Sequence, residues 1–589
     1  MSDVNKKLAH IFEQMGLIYE IKDDKYRQRA YHRGAEVLGD YSQDVEKVYE
    51  EKNLSGLKEL PGIGQAMAEK IEEFIKTKKI KEYENLKKEI PVELEELSAV
   101  EGVGPKMIKV LYKELGVKNL KDLERAARFG KIRNLEGFGE KTENNIIQGI
   151  AFLQQEAGRM LLGDVLPYAR DFIEKIKKIE GVKEVCEAGS LRRRKETIGD
   201  IDILVVTADS KKVFEKIAKL PSVQKIWGRG ETKLSVHFEH GFDMDVRAVD
   251  KKSYGAALQY FTGSKAHNVH LRKIATGKGY KLNEYGLFQI QKLKFKTQNH
   301  NLKLKNNENL VAGKTEEEIY KVLGLKVIPP EMREDSGEIE LAQKGKIPQL
   351  IECGDLKGDL QVQTNWTDGR HSIEEMAIAA RDAGLKYILI TDHTKRLAMT
   401  GGLSDKKVLE QKRDIEKLNR KLEGITILSG AEVDILKDGS LDLKDETLKQ
   451  LDVVGASVHS YFKLSRIEQT ERVIKAIKNP HVDILFHPTG RRINRRPPID
   501  IDMEHVIKVA QETGTILEIN SSPGRLDLKD DHIKMAREMG CKFAISSDAH
   551  SRSHYKFLEY GVAQARRGWV EARDVVNTYP PEEMLRFMK

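Results

Sequence analysis

From residue 387 onward the chain repeats one pattern, a short apolar run that ends on a histidine or an acid. YILITDH ends on His393, and ITILSGAEV reaches Glu432. LDVVGASVH ends on His459, VDILFHP on His487, and KFAISSDAH supplies Asp548 and His550. TILEINSS puts Asn520 at the same kind of position. Helical patterns separate the runs, and regular strand–helix alternation builds a parallel sheet. In a barrel of parallel strands, residues just past successive strands converge on one face, where active sites sit. A lone histidine at a strand end more often packs or caps. A whole series of ligand-type side chains at one end predicts a metal centre.

GDLQVQTNWTDG, residues 358–369, reads as the first strand of the same series and closes on Asp368. Gln361 and Gln363 alternate, so a strand points both side chains the same way. His371, just beyond, reads as a surface histidine at a helix start.

The first 150 residues carry a different signal. LKELPGIGQAMAEKI, LSAVEGVGPKMIKVL and IRNLEGFGEKTENNI each run from a helix end through Gly-apolar-Gly into a new helix. The pairs Gly62/Gly64, Gly102/Gly104 and Gly137/Gly139 supply a tight turn whose bare amides and helix N-terminus suit a phosphate. Such contacts hold nucleic acid without reading bases. One copy also serves merely to turn between packed helices; three resemble the helix-hairpin-helix DNA-binding motif.

Between these ends lies GSLRRRKETIGDIDIL, residues 189–204. Gly189 and Ser190 follow a strand and open an arginine-rich turn, after which Asp200 and Asp202 alternate along a strand. In FDMDVRAV, Asp243 and Asp245 alternate likewise. Val182–Glu187, Ile201–Val206, Leu234–Phe238 and Met244–Val249 read as strands. Carboxylates on adjacent strands repel unless a cation lies between them, and Mg²⁺ prefers carboxylate and phosphate oxygens. Pairing with Arg192–Arg194 alone is the poorer explanation, because two aspartates flanking Ile201 in an apolar strand are costly to bury for salt bridges.

GS, RRR, GDIDIL, DVR, YFTGS and NEYG resemble, in this order and spacing, the family X DNA polymerases. The resemblance implies that Asp200, Asp202 and Asp245 bind Mg²⁺ or Mn²⁺, with Asp243 outside the set. It implies that Gly189, Ser190 and Arg193 hold the dNTP triphosphate. Tyr260, Phe261 and Gly263 would line its sugar, and Asn268 and Arg272 would contact the nascent base pair. LPGIGQAMAEKIEEF resembles that family's lyase domain and aligns Lys70 with a Schiff-base nucleophile. Ala66 and Arg27 depart from lysines of the relatives, which weakens the expected phosphate cradle.

The strand-end series, with HPTGRRINRRPP after His487, resembles the polymerase-and-histidinol-phosphatase (PHP) domain appended to prokaryotic members of that family. Relatives carry three metals there, Zn²⁺ or Mn²⁺, for a 3′→5′ exonuclease. The resemblance assigns Asp368, His393 and His550 to one metal, and Glu432, His459 and His487 to a second. The third would use Glu432, Asp548 and two histidines whose positions hold Gln361 and Gln363 here. An amide oxygen is a weak ligand for these ions, so weak or absent third-metal binding and a weakened exonuclease are expected. Arg495 and Arg496 are expected to hold DNA phosphates.

A chain of 589 residues calls for roughly three or four domains. The expected architecture is multidomain α+β and α/β: a lyase-like helix-hairpin-helix domain at 1–85, helical fingers at 86–155, a nucleotidyltransferase palm with mixed sheet at 156–255. A thumb follows at 256–325, a linker at 326–350 around VIPPEMREDSGEIE, and a (βα) barrel-like PHP domain at 351–589. Cys186, Cys353 and Cys541 are too few for a disulfide framework and read as reduced thiols. No apolar run approaches the roughly 20 residues that span a bilayer. The opening MSDVNKKLAHIFEQMG is an amphipathic helix pattern, so a cytoplasmic, nucleoid-associated monomer is expected. The net charge of +8 leans toward a polyanion but suits a solvated surface equally well. The expected function is short-gap DNA synthesis from dNTPs on gapped or primed duplex. The rivals are a template-independent nucleotidyltransferase, a PHP nuclease or phosphoesterase anchored by the polymerase half, and a DNA-bridging module without turnover.

Overall fold

The computed structural model describes residues 3–41, 43–60, 62–100, 102–156, 158–238, 241–290, 309–397 and 400–589. Residues 291–308 of the expected thumb lie outside the described residues. Two compact units result, Met1–Ala157 with Arg492–Pro497, and Gly158–Arg491 with Pro498–Lys589.

Among its described residues the first unit is helical. Helix Gln65–Thr77 turns Met67, Ala68, Ile71 and Phe74 inward, the spacing of one helical face. Each Gly-apolar-Gly hairpin starts on a glycine in the left-handed region, with φ of 82° at Gly62, 82° at Gly102 and 79° at Gly137. The second glycine then opens a helix. Gly64 caps Gln65–Thr77 and Gly104 caps Pro105–Leu115, while Gly139 directly precedes Glu140–Glu156.

The second unit begins with a five-stranded mixed sheet. Its order is Val182–Glu187, Ile201–Thr207, Asp243–Val249, Lys233–Phe238 and Val223–Arg229. Ile201–Thr207 and Asp243–Val249 run parallel, and the other neighbours are antiparallel. The outer strand Val223–Arg229 is mostly exposed and lacks the apolar alternation that marks the rest, so sequence reading passes over it. Next, helix Lys265–Gly277 and a three-stranded sheet (Tyr280–Asn283, Gly286–Gln289, Asn309–Ala312) share a core with Ile328, Met332, Ile339 and Ala342. The proline-rich 326–350 stretch is therefore packed structure.

Seven parallel strands follow in consecutive order: Gly358–Val362, Tyr387–Ile390, Thr426–Asp434, Val453–Ser457, Ile484–Leu485, Ile516–Asn520 and Phe543–Ser546. Apart from Thr426 their residues are buried, as in a sheet covered on both faces. The first and last strands join where Gln363 N donates to Ala549 O at 2.8 Å and Ala549 N donates to Gln361 O at 3.2 Å. The sheet is thus a nearly closed barrel, bridged just past the ends of its first and last strands at the two glutamines.

Candidate active sites

In the mixed sheet, Asp202 faces Asp245 in register across the parallel pair. Burial raises the Asp202 carboxyl to about 7, and the charges of Asp200 and Asp245 push the same way. Three acids crowded against a buried strand repel one another, and a cation between them would relieve that repulsion. The turn before them approaches closely: Gly189 has φ +59°, and a Cβ there would lie 2.3 Å from Asp202 Oδ2. Asp245 is oriented by Ser235, whose Oγ donates at 2.6 Å, and by Lys233 Nζ at 2.6 Å. Both were missed in the sequence, though KLSVHF alternates and so places them on the face of Asp245. Asp243 points elsewhere, accepting from Trp227 Nε1 at 2.7 Å and lying 2.7 Å from His237 Nδ1.

Ser190 and Arg192 sit on the short helix Gly189–Arg192, and Arg193 caps it. Arg192 is fixed to Glu316 at 3.0 and 2.7 Å and to Thr262 Oγ1 at 2.6 Å. Arg193 donates to Thr262 O, and through Nε to Glu334 at 3.1 Å. Tyr260 and Phe261 pack edge to face at 5.1 Å, with the Arg247 guanidinium 4.3 Å above Phe261. Gly263, at φ +68°, ends helix Tyr254–Thr262 and lies beside Arg193. Asn268 is nearly buried; it accepts from Gln259 and donates to Tyr260 O, both at 2.7 Å. Arg272 Nε donates to Asn268 O at 3.2 Å. The acids, the arginine turn and the aromatic segment therefore form one neighbourhood.

At the barrel, Asp368 Oδ2 lies 3.6 Å from Nε2 of both His393 and His550. Glu432 is the hub, with Oε1 3.1 Å from His459 Nε2 and 2.7 Å from His487 Nε2, and Oε2 3.2 Å from His393 Nδ1. Among the described residues, two groups bring ligand atoms within 4.8 Å of one another, Asp368/His393/His550 and His393/Glu432/His459. Burial works against charge here, yet His393 and His459 hold Glu432 well below the usual carboxylate range. Against the same burial, Asp368 and Asp548 lift His550 to about 9. His487 Nδ1 is buried without a hydrogen-bond partner, an orphaned donor or acceptor of the kind metal sites use. The imidazole and carboxylate donors fit a divalent metal ion.

The glutamines occupy the remaining corner, both fully buried. Gln361 Oε1 accepts from Asn520 Nδ2 at 3.0 Å, and Asn520 Nδ2 also lies 3.3 Å from Asp548 Oδ2. Arg525 Nε stands 3.4 Å from the same Asp548 oxygen. Glu518, unread in the sequence, accepts from His487 N at 2.6 Å; burial, then Asp548, raises its carboxyl well above normal. Asp434 accepts from His459 N at 3.1 Å. The alternation in GAEVD is the signal that could have found Asp434.

In the helical unit, added Cβ atoms at Gly64, Gly104, Gly137 and Gly139 would meet nothing within 4 Å, so these turns are open. Lys70 Nζ pairs with Glu82 at 2.9 Å and its side chain is 16% exposed. Tyr31 OH donates to Glu82 at 3.4 Å, and Arg27 donates to Tyr19 OH at 3.1 Å. Schiff-base chemistry would require the amine to leave that carboxylate. Arg495 and Arg496 lie in the turn after Gly490, where Arg496 N donates to Arg492 O at 2.7 Å.

Family comparisons match these parts in order. A helix-hairpin-helix domain covers 3–80, and a SAM-like helix-hairpin-helix tandem covers 94–151. The DNA polymerase beta thumb covers 257–334, and the PHP domain covers 359–522. The chain is 35% identical to the DNA polymerase/3'-5' exonuclease PolX of Bacillus subtilis (strain 168), over 99% of both chains. The chain belongs to the family X DNA polymerases with a C-terminal PHP domain. Parts of this family's architecture recur separately. A probable phosphatase of Thermoanaerobacter sp. (strain X514) is 36% identical over 33% of this chain and 80% of its own. DNA polymerase lambda of Arabidopsis thaliana is 29% identical over 49% of this chain and 55% of its own. No helix among the described residues is long and apolar enough to cross a membrane.

Proposed function

We propose that this chain is a DNA-directed DNA polymerase that fills short gaps during repair, acting as a monomer on gapped or primed duplex. The observation that carries the reading is the in-register pair Asp202 and Asp245, closed over by the Gly189 turn. Asp200 and Asp202 would lie toward the dNTP and Asp245 toward the primer 3′-hydroxyl. When bound, two Mg²⁺ or Mn²⁺ ions supply the charge that activates that hydroxyl and stabilises departing pyrophosphate. Ser190 and Arg193 would hold the triphosphate, with Gly189 letting the backbone approach. Tyr260, Phe261 and Gly263 would shape the sugar pocket, and Asn268 and Arg272 would face the base pair. The open Gly64, Gly104 and Gly139 amides, with Arg495 and Arg496, suit the DNA backbone.

The domain limits 1–85, 86–155, 156–255, 256–325, 326–350 and 351–589 follow this division of labour. For the barrel we infer a weakened 3′→5′ exonuclease, in keeping with the printed name of the Bacillus relative. Zn²⁺ or Mn²⁺ held by Asp368, His393, Glu432, His459, His487 and His550 would activate water for attack on a phosphodiester.

The test is primer extension on a gapped duplex with Asp202→Ala. Loss of metal-dependent extension supports the assignment, and retained extension ends it. Extension of single-stranded primers as fast as gapped ones would favour template-independent transfer instead.

A further inference from the structure

The palm and the barrel meet at the arginine turn. Arg567, at the end of helix Leu558–Arg567 behind the barrel, has a side chain only 3% exposed. Its Nη1 donates to the backbone oxygen of Arg193 at 2.9 Å and to Glu334 Oε1 at 3.1 Å, while Nη2 donates to Asp530. Glu334 also accepts from Arg193 Nε at 3.1 Å and lies 3.8 Å from Lys195 Nζ. One residue on, Glu196 takes a two-pronged bond from Arg491 at 3.1 and 2.7 Å. Barrel arginines therefore grip residues 193–196 on one side. On the other, Thr262 and Glu316 hold Arg192, and Thr262 also accepts from Arg193.

Exposed ion pairs contribute little, but buried ones leave stranded charge when a partner is removed. An arginine that must meet a triphosphate gains from a backbone already in place, because nothing remains to be ordered on binding. Arg567 touches that backbone directly and reaches the Arg193 side chain through Glu334.

We propose that Arg567 is a positioning residue for nucleotidyl transfer, so that the PHP barrel sets the pose of the triphosphate-binding turn. The barrel then has a task independent of its metal ligands. This rests on the assignment of Arg193 to the triphosphate.

The experiment measures dNTP affinity of the full chain on gapped DNA with a dideoxy-terminated primer, so that no bond forms. Arg567→Ala is expected to weaken dNTP binding about tenfold. Arg567→Lys, which keeps charge but not the planar fork, should recover only part of the loss. Arg537→Ala, whose partners Glu571 and Asp574 lie within the PHP half, should leave affinity unchanged. In an Arg193→Ala background, Arg567→Ala should add nothing.

Wild-type affinity in Arg567→Ala overturns the proposal, and so does the same loss in both backgrounds. If Arg193→Ala itself leaves affinity unchanged, the triphosphate assignment falls and this proposal falls with it. Should Arg567→Ala fail to fold, Glu334→Ala removes the shared acceptor. A comparable loss then supports the coupling, and unchanged affinity overturns it.

Discussion

Gln363 donates from Nε2 to Glu432 Oε2 at 2.9 Å, so an amide takes up an oxygen of the barrel's central ligand. Glu432 also meets His393, His459 and His487, and Gln363 thus competes for the hub of the histidine cluster. The glutamines are integrated in the site as hydrogen-bonded members of it.

Replacing both by imidazoles should change the chemistry. Gln361→His with Gln363→His is expected to raise Mn²⁺-dependent loss of 3′-terminal nucleotides on the order of tenfold. Metal content after dialysis should rise by one ion. Unchanged degradation by the double variant would refute this account of the glutamines.

Asp202 predicts a pH dependence with a definite sign. Its carboxyl is lifted to about 7 by burial and by Asp200 and Asp245, so below that pH a proton competes with metal. Mg²⁺ affinity at the palm should fall as pH drops through 7, read by titration calorimetry. In the metal-free chain the raised value favours the folded state at low pH. That advantage fades as pH climbs from about 4 to 7. Asp202→Asn should therefore raise the melting temperature at pH 8 and leave it nearly unchanged near pH 4.

Glu316 predicts the opposite slope. It is buried between Arg192 and Arg333, whose charges outweigh burial and hold it at about 2. Glu316→Gln leaves the fully buried Arg333 without its carboxylate and should destabilise the chain by about 3–5 kcal/mol at pH 7. A depressed carboxylate stabilises above its unfolded value and loses that contribution as pH falls toward the folded one. Denaturant melts of the two proteins should converge between about pH 4 and pH 2.

The hairpin glycines predict a separation of binding from stability. Gly64 and Gly104 have φ of −81° and −85°, and an added methyl meets no neighbour. Gly64→Ala with Gly104→Ala should cost less than about 1 kcal/mol of stability per site. DNA affinity should fall by roughly tenfold, because the methyl stands between backbone amides and phosphate. Fluorescence anisotropy with gapped duplex reads this directly, and wild-type affinity would remove these turns from the interface.

Much of this was legible in the sequence where chemistry and periodicity coincide. Asp202 and Asp245 alternate in apolar strands, and His393, Glu432, His459 and His487 follow strands, so position alone indicated their neighbours. Partners remote along the chain carried no such signal. Arg567 and Glu334 are ordinary surface-type residues in sequence, and only the folding of helix Leu558–Arg567 and of the 326–350 stretch brings them to Arg193. Val223–Arg229 was illegible for another reason: an exposed edge strand needs no apolar face.

The grip of Arg491 and Arg567 on residues 193–196 bears on what this protein can shed over generations. Changes at Gln361 and Gln363, whose contacts are Asn520 and Glu432, would leave that grip intact. Deleting the barrel would not. A chain of this build that stopped degrading DNA would still need its barrel to hold the arginine turn.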